Sequence, residues 1–254
     1  MFQGSRKLNK LNFEPFPFNP EEVDLAILSH DHIDHSGRIP NLIKNGFRGK
    51  IYSTKATHDL CTIMLPDSGH IQEMETEWDN RKRSRAGKSL REPLYTVDEA
   101  LESLKYFSPV LYNQRIVIDD SLTIRFQDAG HILGSSIVEL WIKEGSETIK
   151  LVFSGDLGRK NKPIIRDPAI IEEADYLILE STYGHRVHPS LDNEASQLIP
   201  IMIETREKGG NVVIPSFAVQ RAQDIIYELN HYYDQIIAVK DKSYLDISVY
   251  IDSP

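Results

Sequence analysis

The most constraining feature of this chain is a cluster of metal-ligand residue types near its start. Residues 28–37 read LSHDHIDHSG, which places three histidines and two aspartates within six positions. Apolar residues come directly before the cluster, so we expect it to follow a strand. Imidazole and carboxylate suit zinc and related divalent ions, and such ligands usually lie on loops held by rigid elements. The sequence therefore predicts a metal site; the alternative is a polar turn rich in histidine.

Composition sets the size and chemical class of the protein. The chain has 254 residues, of which 40% are hydrophobic, enough for one large domain or two. Cys61 is the one cysteine, which excludes an intramolecular disulfide and a cysteine-based structural zinc site. No uncharged run reaches the roughly 18 residues of a membrane-spanning helix, and no secretory signal is evident. We therefore expect a cytoplasmic protein in a reducing compartment, without a membrane partner.

Charge argues against attraction of nucleic acid to the whole surface, because the formal net charge is −9. One local exception is the basic segment 81–91, which contains six lysines and arginines. Within it, Arg83 and Arg85 are candidates for contact with the phosphates of a nucleic acid. The alternative is a solvated charged face or a mobile loop.

The order of predicted elements indicates an α/β protein. Short β-branched runs predict strands at residues 50–53, 115–118, 122–126, 137–142, 149–153 and 176–179. Between them, Thr54 is expected to cap a helix that stops at Pro66. Thr96 and Glu99 form a capping-box pattern that opens a second helix.

From about residue 191 the pattern changes to alternating helix and strand. We expect a helix with a possible kink at Pro200, a strand at 211–214, a second helix with an apolar face and a strand at 247–251. Such alternation implies parallel crossovers and the opening of a second, doubly wound unit. The sequence therefore predicts two domains, 1–190 and 191–254.

Three further polar residues follow predicted strands. His131 lies in a glycine-rich turn, Asp156 lies in the run FSGDLG, and Glu180 comes directly after the strand at 176–179. Loops at one edge of a sheet can bring such side chains together. Each residue alone is a weak signal, because a histidine in such a turn is often only hydrogen-bonded and an aspartate beside glycine often only forms a turn.

Taken together, these residues resemble the metallo-β-lactamase superfamily, and residues 131–184 resemble its β-CASP branch of RNA- and DNA-processing nucleases. The run ESTYG (180–184) is similar to the acidic motif of that branch. PSFAVQR (215–221) resembles the start of its inserted domain, with Gln220 where a glycine is expected. The resemblance covers essentially the whole chain and is closest to bacterial and archaeal relatives of the endonuclease of mRNA 3′-end cleavage. It implies an incomplete αββα sandwich followed by the start of a doubly wound parallel β-CASP domain.

The resemblance also implies a centre with two zinc ions. It implies that His30, His32 and His131 bind the first zinc, and that Asp34 and His35 bind the second. Asp156 is implied to bridge both ions. Two such ions share a water and lower its pKa towards 7, which yields a hydroxide that attacks phosphorus.

Other residues receive roles from the same resemblance. Glu180 is expected to complete a catalytic set with Asp34 and Asp156 by orienting a catalytic histidine or its proton; the alternative is a helix-capping or paired buried acid. Ser135 and Ser136 are candidate donors to a phosphate oxygen. The alternative for both serines is that small residues let the turn approach the metals.

Relatives of this kind usually begin further upstream and continue to two later histidines, a general acid and a metal ligand. The histidines after His131 are His185, His188 and His231, and none stands in a similar context. We therefore expect a fragment of a longer enzyme, with a weakly bound second zinc and impaired RNA cleavage.

The leading functional hypothesis is a zinc-dependent ribonuclease, with single-stranded RNA as the expected partner and a homodimer as a possible assembly. One alternative is a hydrolase of a small ester, thioester or lactone, against which the β-CASP-like segments 180–184 and 215–221 argue. Another is a non-catalytic scaffold, against which the intact ligand cluster argues.

Overall fold

The computed structural model describes residues 1–187, 194–238 and 248–252. The chain divides into two compact units, Met1–Lys160 with Arg166–Glu180, and Asn161–Ile165 with Ser181–Pro254. The predicted helix start near residue 191 and the first residue of the strand predicted at 247–251 lie outside the described residues. The division into domains at residue 190 stays a prediction.

Two β-sheets form the centre of the first unit. The smaller sheet is parallel, in the order β1 (Leu25–Ile27), β2 (Lys50–Thr54) and β3 (Phe107–Val110). The larger sheet has the order β4 (Ile116–Val117), β5 (Leu122–Asp128), β6 (Ser136–Glu144), β7 (Glu147–Phe153) and β8 (Tyr176–Ile178). Its neighbours are antiparallel except β7 and β8, which are parallel. The strands predicted in this unit are all present, but β3 was missed because Pro109 interrupts its strand pattern.

Five helices belong to the first unit: α1 (Arg6–Lys10), α2 (Ile33–Ser36), α3 (Ile39–Lys44), α4 (Lys55–Arg85) and α5 (Val97–Ser103). Short 3-10 helices lie at Leu11–Phe13, Pro20–Glu22 and Leu104–Tyr106. The capping box predicted for α5 is confirmed, with both reciprocal hydrogen bonds formed. Across the described ranges, we find no helix with both the length and the apolar character needed to cross a bilayer.

Apolar side chains join these elements into layers. Ile124, Phe126 and Val138 of the larger sheet contact Ile27 and Tyr52 of the smaller sheet. On the other side of the smaller sheet, a second cluster joins it to the helices. The central members of that cluster are Phe47, Ile51, Cys61, Leu65 and Tyr95. A helix layer, a three-stranded sheet and a five-stranded sheet are therefore stacked, as expected for an incomplete αββα sandwich.

Helix α4 does not stop at Pro66, so the predicted end of this helix is wrong. Proline inside a helix removes one backbone hydrogen bond and costs about 3 kcal/mol. Packing on both sides of the proline opposes this cost, because Leu65 lies in the core and the Ser68 hydroxyl lies 2.7 Å from the Tyr95 hydroxyl. Tertiary contacts therefore carry the helix through a residue that would end an isolated one.

The second unit contains α6 (Glu194–Glu207), which includes Pro200, and α7 (Arg221–Ala238). The strand predicted at 211–214 is wrong, because the segment is irregular and Val213 is 83% exposed. Of the strand predicted at 247–251, the described residues 248–251 are irregular as well. A strand needs a neighbour to accept its backbone hydrogen bonds, and the described part of this unit places no paired strand beside them.

Gln220 shows how this chain departs from the glycine expected before α7. Its φ is 71°, in the left-handed region that glycine adopts most readily. The side chain is buried, and its Nε2 donates a hydrogen bond of 2.6 Å to Asp224 Oδ1. The turn thus keeps a glycine-like backbone while a side-chain hydrogen bond to the helix offsets part of the strain.

Candidate metal centre

Three loops of the first unit meet at one edge of the two sheets. They follow the carboxyl ends of β1, β5 and β7 and carry His30 to His35, His131 and Asp156, respectively. Strand ends on stacked sheets hold such loops at fixed positions, which is why residues distant in sequence meet here.

Three imidazole nitrogens converge on one point. His32 Nδ1 lies 3.1 Å from His30 Nε2 and 3.2 Å from His131 Nε2. Together with an oxygen of Asp156, the ligand atoms of these histidines all lie within 4.8 Å of one another. We call His30, His32 and His131 the three-histidine group.

The two remaining predicted ligands lie beside this group, and we call Asp34 and His35 the acid–histidine group. His35 Nε2 lies 3.4 Å from Asp34 Oδ2 and 3.3 Å from Asp156 Oδ1. The other oxygen, Asp156 Oδ2, lies 3.7 Å from His30 Nε2 and 3.6 Å from His131 Nε2. One carboxylate therefore faces both groups, each with a different oxygen.

The two groups differ in proton affinity. Burial, followed by the charges of the neighbouring histidines, lowers the pKa of His30 to about 2. Burial opposes the charged form of His35, but the hydrogen bond and charge of Asp156 outweigh it and raise the pKa of His35. The pKa of Asp156 falls to about 2, chiefly because His35 donates to it. His30 thus keeps a free lone pair at neutral pH, as a metal ligand requires.

Comparison with known proteins fits this arrangement. A family model described as a metallo-beta-lactamase superfamily domain matches residues 9–175. This chain belongs to the metallo-β-lactamase superfamily. The match confirms the predicted fold class and agrees with the stacked sheets. A solved subclass B3 metallo-β-lactamase from a soil metagenome library also matches 54% of this chain and 43% of its own, at 17% identity and a TM-score of 0.34.

Several curated relatives carry names from RNA metabolism. Ribonuclease TTHA0252 of Thermus thermophilus is 37% identical over 229 residues, which are 90% of this chain and 47% of the relative. Transcription termination factor FttA of Methanocaldococcus jannaschii is 32% identical over 88% of this chain and 33% of the relative. An RNase J-like protein of the same archaeon is 31% identical over 91% of this chain and 47% of its own length. The chain thus spans half the length of these relatives or less, and their names support the resemblance to RNA-processing members.

Hydroxyl groups from three other residues hold the His131 loop in place. The hydroxyls of Thr54 and Thr57 donate to the carbonyl oxygen of Gly134, at 2.7 and 2.8 Å. The Tyr112 hydroxyl donates to the next carbonyl, that of Ser135, at 2.8 Å. Sequence reasoning assigned Thr54 a capping role, which it has, but gave no signal for Thr57 or Tyr112. These contacts fix the His131 loop from both sides.

Two glycines permit the close approach of the loops. Gly134 has a φ of 84°, and a Cβ there would lie 2.5 Å from the backbone nitrogen of Thr57. A Cβ on Gly158 would overlap with the carbonyl group of Gly130, next to His131. Glycine at both positions therefore lets the Asp156 loop and the N-terminus of α4 contact the His131 loop directly.

Ser135 and Ser136, the candidate donors to a phosphate oxygen, both have buried side chains. Ser135 Oγ accepts hydrogen bonds from the backbone nitrogens of His131 and Ile132, at 3.1 and 3.2 Å. The Ser136 hydroxyl donates to the Ser29 carbonyl oxygen at 2.8 Å. Both serines shape the loop, in line with the alternative that small residues let the turn approach the metals.

Glu180 acts on the loop of Asp156. Its Oε1 accepts a hydrogen bond of 2.6 Å from the backbone nitrogen of Leu157. Its own backbone nitrogen donates to Ser154 Oγ at 3.0 Å. Glu180 therefore positions Asp156 through the backbone of the next residue, Leu157. Its role beside a catalytic histidine stays a prediction.

Asp31 is a buried acid that sequence reasoning did not single out. Its carboxylate oxygens have no hydrogen-bond partner within the described residues. Burial raises the pKa of Asp31 to about 6. Its place between two ligand histidines gave no signal that distinguished it from an exposed turn residue.

Arg83 and Arg85 do not join the metal centre. They lie in the last turn of α4, whose first residues contact the His131 loop. At about 1.5 Å per residue, that helix carries the two arginines roughly 40 Å from the loop. These two candidates for RNA contact therefore lie at the opposite end of a long helix from the His131 loop, and their contact with RNA stays a prediction.

Proposed function

We propose that the protein to which this chain belongs is a zinc-dependent ribonuclease with two metal ions. One observation carries the proposal: the two oxygens of Asp156 face two separate groups of ligand side chains. Such an arrangement suits a bridging carboxylate. Relatives named as ribonucleases support RNA as the substrate class.

The residues present fit zinc. The candidate donors are imidazole nitrogens and carboxylate oxygens, which zinc accepts in catalytic sites. The low pKa of His30 keeps it neutral, and Ser29 Oγ lies 3.1 Å from its other ring nitrogen, as outer partners of ligand histidines do. When bound, two zinc ions would activate a water molecule at neutral pH and stabilise negative charge on a phosphodiester.

Each protein group has a separate task in this proposal. The three-histidine group would hold the first ion, the acid–histidine group would hold the second, and Asp156 would contact both. The Asp34 side chain is 51% exposed, so the acid–histidine group would be accessible to a phosphodiester from solvent. Glu180 keeps Asp156 in position through the Leu157 backbone.

The proposal extends to the setting of the reaction. We propose single-stranded RNA as the substrate, because an extended strand exposes its backbone to a site that lies on loops. A cytoplasmic location suits RNA processing and a chain with one cysteine. A homodimer and a domain division at residue 190 stay predictions from the sequence.

The test is cleavage by the full-length protein that contains this chain. A labelled single-stranded RNA, a small phosphodiester and a thioester are each incubated with zinc, using wild type, Asp156→Asn and the exposed control Asp120→Asn. We expect RNA cleavage that is lost in Asp156→Asn and kept in Asp120→Asn. Hydrolysis of the thioester without RNA cleavage would overturn the assignment of substrate, and Asp156→Asn with full activity would overturn the site.

A further inference from the structure

The second half of α4 adds no residue to the buried core, and the metal centre does not explain it. The buried residues of this helix end at Gly69. From His70 to Arg85 it contributes none. Most helices in globular proteins owe their stability to a buried face, whereas this extension has only a half-buried one, which includes Gln72, Thr76 and Asn80. Its exposed side therefore invites a functional explanation.

Hydrogen bonds to the helix hold the loop that follows this extension in a defined conformation. Asn80 exchanges two hydrogen bonds with the backbone of Arg91, both of 2.8 Å. Arg83 Nε donates to the Ser89 carbonyl oxygen at 2.6 Å, and the Lys88 backbone nitrogen donates to the Arg83 carbonyl oxygen at 2.9 Å. These bonds fold residues 86–91 back onto the helix and give its end a defined surface.

Three cations of this surface are available to a partner. The side chains of Arg85, Lys88 and Arg91 are exposed and have no partner in the part of the chain that the structure describes. Cations in a last helical turn compensate the helix dipole, which accounts for Arg85. Lys88 and Arg91 lie past the helix, where this effect has fallen off, and the whole chain has a net charge of −9.

Exposed apolar side chains accompany these cations. Trp78 is 61% exposed and Leu90 is 65% exposed. Lys82 Nζ lies 3.1 Å from the centroid of the Trp78 ring, which leaves much of the indole open to a second contact. An exposed aromatic ring among cations is the usual composition of a surface for single-stranded nucleic acid, where bases stack and phosphates meet positive charge.

We propose that this surface, which we call the α4 tip, binds single-stranded RNA at a distance from the metal centre. The α4 tip has two sides. Trp78 and Arg85, seven residues apart, lie on one face of the helix, and Lys88, Leu90 and Arg91 lie on the loop that bonds to Asn80 on the other face. The ligand class rests on the proposed function, and charge complementarity between the tip and a polyanion supports it independently. An acidic protein surface is the competing occupant.

The geometry separates this contact from the reaction. The 31 residues of α4 span about 46 Å. At about 3.4 Å per stacked nucleotide, an RNA touching both ends of the helix has roughly 13 nucleotides between the tip and the metal centre. Binding at the tip is therefore independent of bound metal, and it can be measured in a chelator where no cleavage occurs.

The experiment compares two triple variants in the intact chain. One changes Arg85→Gln, Lys88→Gln and Arg91→Gln. The control changes Lys7→Gln, Lys10→Gln and Lys143→Gln, which are also exposed, so the net charge falls equally. Affinity for a labelled 30-nucleotide RNA is measured by fluorescence anisotropy in EDTA across a range of salt, after thermal unfolding has shown that both variants are folded.

Affinity for RNA decreases as salt increases, and we expect this dependence to be weaker in the tip variant. The magnitude of the slope of log affinity against log salt should decrease by about 2, because each of three lost phosphate contacts on a single strand contributes about 0.7. The control keeps the wild-type slope. In a separate variant, Trp78→Ala weakens binding about fivefold or more, since a base loses its stacking surface.

Two results would overturn the proposal. If wild type binds RNA and the tip variant keeps the wild-type slope, the tip is not an RNA contact, while the proposed nuclease function stands. If wild type does not bind RNA in EDTA, the tip again fails, and an acidic protein becomes the occupant to test. Loss of RNA cleavage with intact binding at the tip would instead count against the proposed function alone.

Discussion

The two halves of the metal centre differ in how firmly the protein holds them. In the three-histidine group, His30 is fully buried and the His131 loop is fixed by hydroxyls from Thr54 and Thr57. In the acid–histidine group, Asp34 is half exposed and His35 contacts carboxylates whose charge favours its protonation. The first half is thus set before a metal arrives, whereas the second is open to solvent, substrate and protons.

The largest expected effect comes from the residue that joins the halves. Asp156→Ala removes both oxygens that face the two groups, so we expect loss of bound zinc from both halves and loss of cleavage. Elemental analysis and an RNA cleavage assay measure the two effects. Asp120→Ala is the control, because this acid is exposed and lies before the first residue of β5, whereas His131 follows the last. Retention of two zinc ions by Asp156→Ala would show that the halves are not joined by this residue.

Acidification should separate the halves next. The pKa of His35 is raised, so protons compete with a metal there as the pH falls through that pKa. The pKa of His30 is near 2, so its nitrogen stays unprotonated over the same range. We expect the zinc of the acid–histidine group to dissociate first between pH 7.5 and about pH 5.5, as measured by elemental analysis after dialysis at each pH. Loss of both zinc ions at the same pH would contradict the expected difference in acid sensitivity between the two groups.

A smaller effect is expected when the support of the His131 loop is weakened. Thr57→Val removes one of two hydroxyls that donate to the Gly134 carbonyl oxygen. We expect zinc affinity of the three-histidine group to fall about tenfold, as for other outer-shell changes, and that of the acid–histidine group to stay unchanged. Competition with a chelator measures both. Thr62→Val on the same helix is the matched control, because the Thr62 hydroxyl bonds only to its own helix.

The smallest effect concerns stability alone. Burial raises the pKa of Asp31 to about 6 from 3.8, so its ionised form destabilises the folded state above pH 3.8. Asp31→Asn should therefore stabilise the metal-free protein at pH 7.5 by about 1–2 kcal/mol, with a gain that shrinks as the pH falls from 6 towards 4. Urea unfolding at several pH values measures this. A variant that is less stable at pH 7.5 would show that Asp31 has a partner that stabilises its charge.

The convergence of the candidate ligands could be predicted because their side chains are chemically distinctive and most of them are local in sequence. His30, His32, Asp34 and His35 lie within one short run, and resemblance to a known family connected them to His131 and Asp156. The supports could not be predicted in the same way. Thr57 lies 77 residues from Gly134, and threonine hydroxyls are too common to indicate a contact at that distance.

The fold shows the same division between local and distant information. Strands such as β5 and β6 were predicted because each contains a short β-branched run that is typical of a strand. The segment 211–214 has a similar composition but forms no strand, since pairing depends on a neighbour that its own sequence does not specify. Pro66 fails as a helix stop for a related reason, because contacts from distant residues outweigh its local cost.

The most direct test of the two-part centre is the zinc content of purified wild type, His32→Ala and His35→Ala, determined by elemental analysis. We predict that wild type binds zinc, that His32→Ala loses the ion of the three-histidine group, and that His35→Ala retains that ion at about one per chain. Equal loss in both variants, or a folded wild type that binds no zinc, would contradict the account.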